Sequence, residues 1–232
     1  MGRLQKNLST HLSEYAIIYH ISFRRFFILT GKTHLAVGTA TALCITYPSD
    51  FKELALCIIA SSVGSVVCDV DVKSSDSRRD LNRITVLTVI VGIALLFAEY
   101  KFNLGITKNF NRESDMFRLV LGFISFIAVC TFGKYQPHRS FMHSIPALAI
   151  LTGIVYFMYP ALAPYFSIAM FSHIFIDLFN KKRVKLFYPL KKGICFRLCT
   201  ADGKVNNILF FTGTAFSIFF FILAIFHILK WF

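Results

Sequence analysis

His138-Arg-Ser-Phe-Met-His143 is followed about thirty residues later by His173-Ile-Phe-Ile-Asp177, and both stand against stretches that otherwise read as lipid-soluble. Three more groups of the same kind lie upstream: His34 at the start of one apolar run, and Asp69 and Asp71 at the end of the next. Imidazole and carboxylate without cysteine form a donor set suited to zinc, manganese or iron in a hydrolytic site. A divalent ion in such a set lowers the pKa of its water to near neutrality and polarises a scissile carbonyl or phosphoryl group. Seven candidates are more than one tetrahedral ion takes. They can serve two ions, or one ion with a general base and orienting groups around it.

Local spacing supports a shared site. His173 and Asp177 are four apart and project from one helix face, which Asn180 extends. Asp69 and Asp71 straddle a helix end, where a broken helical period lets both turn inward. His138 and His143 are five apart beside Pro137, a spacing that needs a turn to bring both rings to one centre. Each piece has a plainer reading. His34 alone reads as an interfacial or capping residue, Asp69 and Asp71 as a solvated loop start, and His173 with Asp177 as a hydrogen-bonded pair between helices.

The elements that carry these residues belong in a bilayer. Of 232 residues, 56% are hydrophobic and 16% charged, with 27 Phe, far more apolar than an ordinary soluble domain. Apolar stretches run over approximately 34–47, 53–68, 84–98, 117–132, 144–160, 161–179 and 208–229, with Pro160 and Pro164 marking the turn between the fifth and sixth. Most fall short of the roughly 20 residues an upright spanning helix needs. The segment 15–30 carries Arg24 and Arg25 inside its apolar run and reads as an interfacial amphipathic helix. The expected fold is therefore all-α: a polytopic membrane bundle of about seven spans over 34–232, preceded by an amphipathic segment over 1–33.

Charge orients this bundle. Seven spans put the segments 1–33, 69–83, 133–143 and 180–207 on one side, with five, four, two and eight Lys or Arg. The other side receives Lys52, Lys101, Lys108, Arg112, Arg118 and Lys230. The first side is then cytoplasmic, and all seven candidate ligands fall on it. The formal net charge of +13 follows from this topology and from attraction to anionic membrane lipids. Nucleic acid is not an expected partner, because no zinc-finger spacing or basic aromatic strand motif is present. Cys44, Cys57, Cys68 and Cys130 read as small packing residues. Cys195 and Cys199 fall in a cytoplasmic loop, where a disulfide is not expected. His11, His20 and His227 lack acidic companions and are given no role.

In these motifs the chain resembles the YdjM-like bacterial inner-membrane proteins, described as membrane-bound metal-dependent hydrolases. The resemblance rests on Thr33-His34, Asp69-Val-Asp71, His138-Arg139 with His143-Ser144, and Ser172-His173 with Asp177, in order over about 34–180. It implies a multi-helix membrane hydrolase with His34, Asp69, Asp71, His138, His143, His173 and Asp177 as ligands. Ser140, Met142 and Cys68 depart from the family pattern without touching those ligands.

The expected function is hydrolysis of an ester or phosphoester bond, lipid-linked substrates included, at a cytoplasm-facing site in the inner membrane. One or two divalent ions, zinc first with manganese or iron as alternatives, would be the cofactor. Asp69 or Asp71 would bind a second ion or act as general base, and Arg139 would stabilise an anionic substrate or transition state, its plainer reading being a cytoplasmic anchor. The alternatives are an ion- or proton-coupled transporter using the same cluster, and an interaction protein acting through the basic segment 181–204.

Overall fold

The computed structural model describes residues 29–102, 115–198 and 204–229. Of the amphipathic segment expected over 15–30, all but Leu29 and Thr30, which open the first helix, lies outside them, as does Cys199. Among the described residues seven α-helices follow one another: α1 (Leu29–Thr46), α2 (Phe51–Val67), α3 (Asp76–Phe102), α4 (Asp115–Lys134), α5 (Ile145–Met158), α6 (Ala163–Leu178) and α7 (Lys204–Ile228). Short 3-10 turns occupy Cys68–Asp71 and Pro160–Leu162, and no strand occurs among the described residues. Each of the seven apolar stretches corresponds to one helix, five of them overrunning its ends by one or two residues. Among the described residues four helical segments are long and apolar enough to cross a membrane, namely Phe51–Asp71, Asp115–Lys134, Pro160–Leu178 and Val205–Ile228. The chain is a helical membrane bundle.

Local chemistry sets the helix ends. Asp50 caps α2 by accepting from the Glu53 amide, and Ser144 caps α5 by accepting from Ala147, with Pro146 in the first turn. Before α3, the Ser75 hydroxyl accepts from the Arg78 amide and donates to the Asp69 carbonyl. That single side chain ties the start of α3 to the 3-10 turn. Pro160 opens the second 3-10 turn and Pro164 sits in the first turn of α6, as the prolines predict. At 14 residues, α5 spans about 21 Å and cannot cross the hydrocarbon layer upright.

The centre of the bundle is α6, whose Phe166, Ala169, Met170, His173, Ile174 and Asp177 are all buried. It packs on α2 through small residues, since lipid tails offer apolar side chains little incentive to leave them and close backbone contact must hold the helices instead. Ala60, Ser61, Gly64 and Ser65 form that seam on α2, opposite Ala169 on α6. A Cβ added at Gly64 would run into the Phe166 carbonyl oxygen, and one at Gly38 of α1 into the Ser65 hydroxyl. Gly64→Ala is therefore expected to lower stability by about 1–3 kcal/mol, read as thermal unfolding in detergent. Wild-type stability in that variant would mean the seam is looser than described.

Candidate metal centre

Four segments meet at one end of the bundle: the first turns of α1, the 3-10 turn after α2, the connection 135–144, and the last turns of α6. All seven predicted ligands reach this end and form one continuous cluster.

His173 is fully buried, and its Nδ1–H donates to the Ser65 carbonyl oxygen at 2.6 Å. A carbonyl can only accept, so this bond leaves the Nε2 lone pair free and faces it into the cluster. There it lies 3.3 Å from His143 Nε2 and 3.8 Å from Asp69 Oδ1. His34 stacks on the His173 ring, with centroids 3.7 Å apart, and its Nε2 is 3.7 Å from Asp177 Oδ1. Its buried Nδ1 has no hydrogen-bond partner.

His143 is the hub. Its Nε2 lies 3.2 Å from Asp177 Oδ2, and its Nδ1 lies 3.4 Å from Asp71 Oδ2, off hydrogen-bond geometry. Burial lowers the basicity of this imidazole, but the paired carboxylates of Asp177 and Asp71 outweigh it and raise it to about 10. Asp71 also meets His138 Nδ1 at 2.8 Å and accepts from the Arg139 amide at 3.2 Å.

The two aspartates divide their work because they lie two apart on a 3-10 turn, a spacing that sends their side chains in different directions. Asp69 faces His173, while Asp71 faces His138 and His143. Asp71 is enclosed. The Asp69 side chain keeps 15% of its exposure and His138 36%, so the cluster reaches the surface on their side.

Arg139 does not extend toward solvent. It is buried, with Nη2 3.0 Å from Asp177 Oδ1 and Nη1 donating to the Lys182 carbonyl oxygen at 3.1 Å. Its backbone is in the left-handed region at φ 63°, held by the bond to Asp71 and by the Lys185 amide on its carbonyl. In this conformation the guanidinium balances the Asp177 carboxylate. Asn180, expected to extend the same helix face, lies beyond the end of α6 at Leu178; it is buried and accepts from the Lys181 amide. The Ser65 carbonyl is a participant that side-chain motifs cannot reveal.

Two groups of three can each converge on one ion: Asp69, His143 and His173, and Asp71, His138 and His143. The first comes close to a stricter spacing. Ligand atoms about 2.0–2.1 Å from a tetrahedral zinc are about 3.3–3.4 Å from one another; the His143–His173 separation is 3.3 Å and the His173–Asp69 separation 3.8 Å, and Asp177, outside the group, lies 3.2 Å from His143. The second group is already satisfied internally by the His138–Asp71 bond, and it shares the His143 ring with the first.

Fold and site together define a helical integral membrane protein with a buried His/Asp cluster at one end of its bundle. The chain belongs to the YdjM inner membrane protein family, whose sequence pattern it matches over residues 29–231. No curated protein and no solved structure matches the chain.

Proposed function

We propose that this protein is a membrane-bound metal-dependent hydrolase acting on ester or phosphoester bonds, with lipid-linked substrates the class best suited to a site at the end of a membrane bundle. The observation that carries this reading is the pair of Nε2 atoms on His143 and His173, 3.3 Å apart, with the His173 tautomer set by Ser65. Histidine ligands are commonly oriented in this way, by a carbonyl or carboxylate on the other ring nitrogen.

His143, His173 and Asp177 would hold one divalent ion, zinc first with manganese or iron as alternatives, with a further position left for water. When bound, that ion supplies Lewis acidity that lowers the pKa of a water and polarises the scissile group. His34 shields His173 from the side, and Asp71 with His138 orients His143. Asp69, the most accessible of the three carboxylates, is placed to accept the proton of an attacking water. A divalent cation would take the place of the proton that His143 carries between its two carboxylates, and it would cancel the two negative charges that three carboxylates leave against one guanidinium. The basic loops flanking the site support a cytoplasmic side for it.

Metal analysis of purified protein tests the reading. About one divalent ion per chain is expected, and His173→Ala should lose it; equal metal content in both proteins would sink the proposal. Asp69→Asn should keep the ion on its ligands yet hydrolyse nitrophenyl esters or phosphodiesters about 10²–10⁴-fold more slowly. Hydrolysis indifferent to chelators would count against the metal's role in the reaction.

A further inference from the structure

After α6 the chain carries seven Lys or Arg and no Asp or Glu over 181–198. Charge at this density is normally set among other polar groups. Here it alternates with Phe187, Leu190, Phe196 and Leu198, which are 52–71% exposed. The segment is a tethered hairpin: Val184 and Ile194 exchange two backbone hydrogen bonds of 2.8 and 2.9 Å. Its outgoing limb is joined to the metal-centre connection, with the Lys185 amide on the Arg139 carbonyl and the Ile145 amide on the Leu186 carbonyl. Its returning limb covers the end of α6, with the Phe196 amide on the Leu178 carbonyl and the Leu198 amide on the Phe179 carbonyl. The exposed apolar side chains are thus held where the spanning helices end, at the level of lipid headgroups.

On this hairpin Arg183, Lys192 and Arg197 line one cavity of about 770 Å³, walled by Phe187, Leu190 and Ile194. None of the three cations forms an ion pair with a described residue. Arg197 has φ 57°, a conformation unfavourable for an L side chain, and the hydrogen bonds of its two neighbours to the end of α6 hold it there. Unpaired cations with an apolar wall match a ligand that is anionic at one end and hydrocarbon at the other.

We infer that the 181–198 hairpin binds the headgroup of an anionic phospholipid, its phosphate on Arg183, Lys192 and Arg197 and its acyl chains beginning against Phe187 and Leu190. A soluble phosphate would satisfy the cations and leave the apolar wall unused. This inference does not depend on the neighbouring centre being a hydrolase, although the Lys182 carbonyl that holds Arg139 makes the two sites adjacent.

The test uses the full chain reconstituted in phosphatidylcholine bilayers containing a minor fraction of phosphatidylglycerol, with the lipids retained on detergent extraction quantified by mass spectrometry. Wild type should retain phosphatidylglycerol in excess of its bulk fraction. The triple variant Arg183→Gln, Lys192→Gln, Arg197→Gln should bind it at least about tenfold more weakly, while Lys52→Gln with Lys101→Gln, at the other end of the bundle, should match wild type. Equal enrichment in the triple variant would overturn the inference, as would displacement of the lipid by millimolar inorganic phosphate. If the triple variant does not fold, Phe187→Ser with Leu190→Ser decides the matter. That pair keeps the charge and should lower lipid retention several-fold, and unchanged retention would overturn the inference.

Discussion

Replacing His143 with alanine should abolish metal binding and destabilise the metal-free bundle by about 3–5 kcal/mol. The ring is fully buried between two carboxylates, with Nε2 at 3.2 Å from Asp177 and Nδ1 at 3.4 Å from Asp71. Removing it takes away the ring common to both possible ligand groups and leaves Asp177 with a bare carboxylate oxygen in a dry interior. The cavity left by the imidazole adds to the loss. Metal content and thermal unfolding of the same preparation read both effects. A variant that keeps its metal and its unfolding temperature would show that His143 is neither a ligand nor the hub of the cluster.

Arg139 should behave as a structural charge, in contrast to the substrate-binding role its position beside the histidines suggests. Arg139→Ala is expected to cost about 3–5 kcal/mol, since Asp177 loses its 3.0 Å partner and the Lys182 carbonyl its donor. Arg139→Gly removes the same guanidinium but accepts φ 63° without strain, and should be milder than alanine by about 1 kcal/mol. Arg139→Lys restores charge without the planar fork that reaches both acceptors, so it should recover only part of the loss. Thermal unfolding of the three variants ranks them. Unchanged stability with weakened substrate binding would return Arg139 to the substrate.

The helices are where sequence reading succeeds most fully, because hydropathy in a bilayer protein reports directly on the solvent each segment meets. It says less about helix ends. The expected third span opens at residue 84, whereas α3 begins at Asp76, because its first turns are hydrophilic and held by the Ser75 cap, which a scan for apolar residues does not see. Cys44, read as a packing residue, is exposed on the bundle surface, while Cys57, Cys68 and Cys130 are buried.

At the site, residue types and spacing point to the cluster, and the backbone supplies what they omit. The five-residue interval from His138 to His143 demands a turn, yet nothing in its composition marks Arg139 as the left-handed residue that makes it, since no glycine stands there. The choice between Asp69 and Asp71 becomes visible only when the 3-10 turn separates their directions. The Ser65 carbonyl that sets the His173 tautomer belongs to no side-chain pattern at all.

The contact between His34 and Asp177 closes a loop of more than half the chain, and the intervening ligands arrive from two further segments. Contacts so remote in sequence form late, after the helices that carry them have been inserted and packed. During synthesis, Asp69 and Asp71 emerge long before His143 and His173 do, so the group of Asp69, His143 and His173 is not complete until α6 is in place. The centre thus registers whether assembly has finished: a half-built bundle has no pocket to load, and an ion that binds the finished cluster draws the population toward completion by mass action.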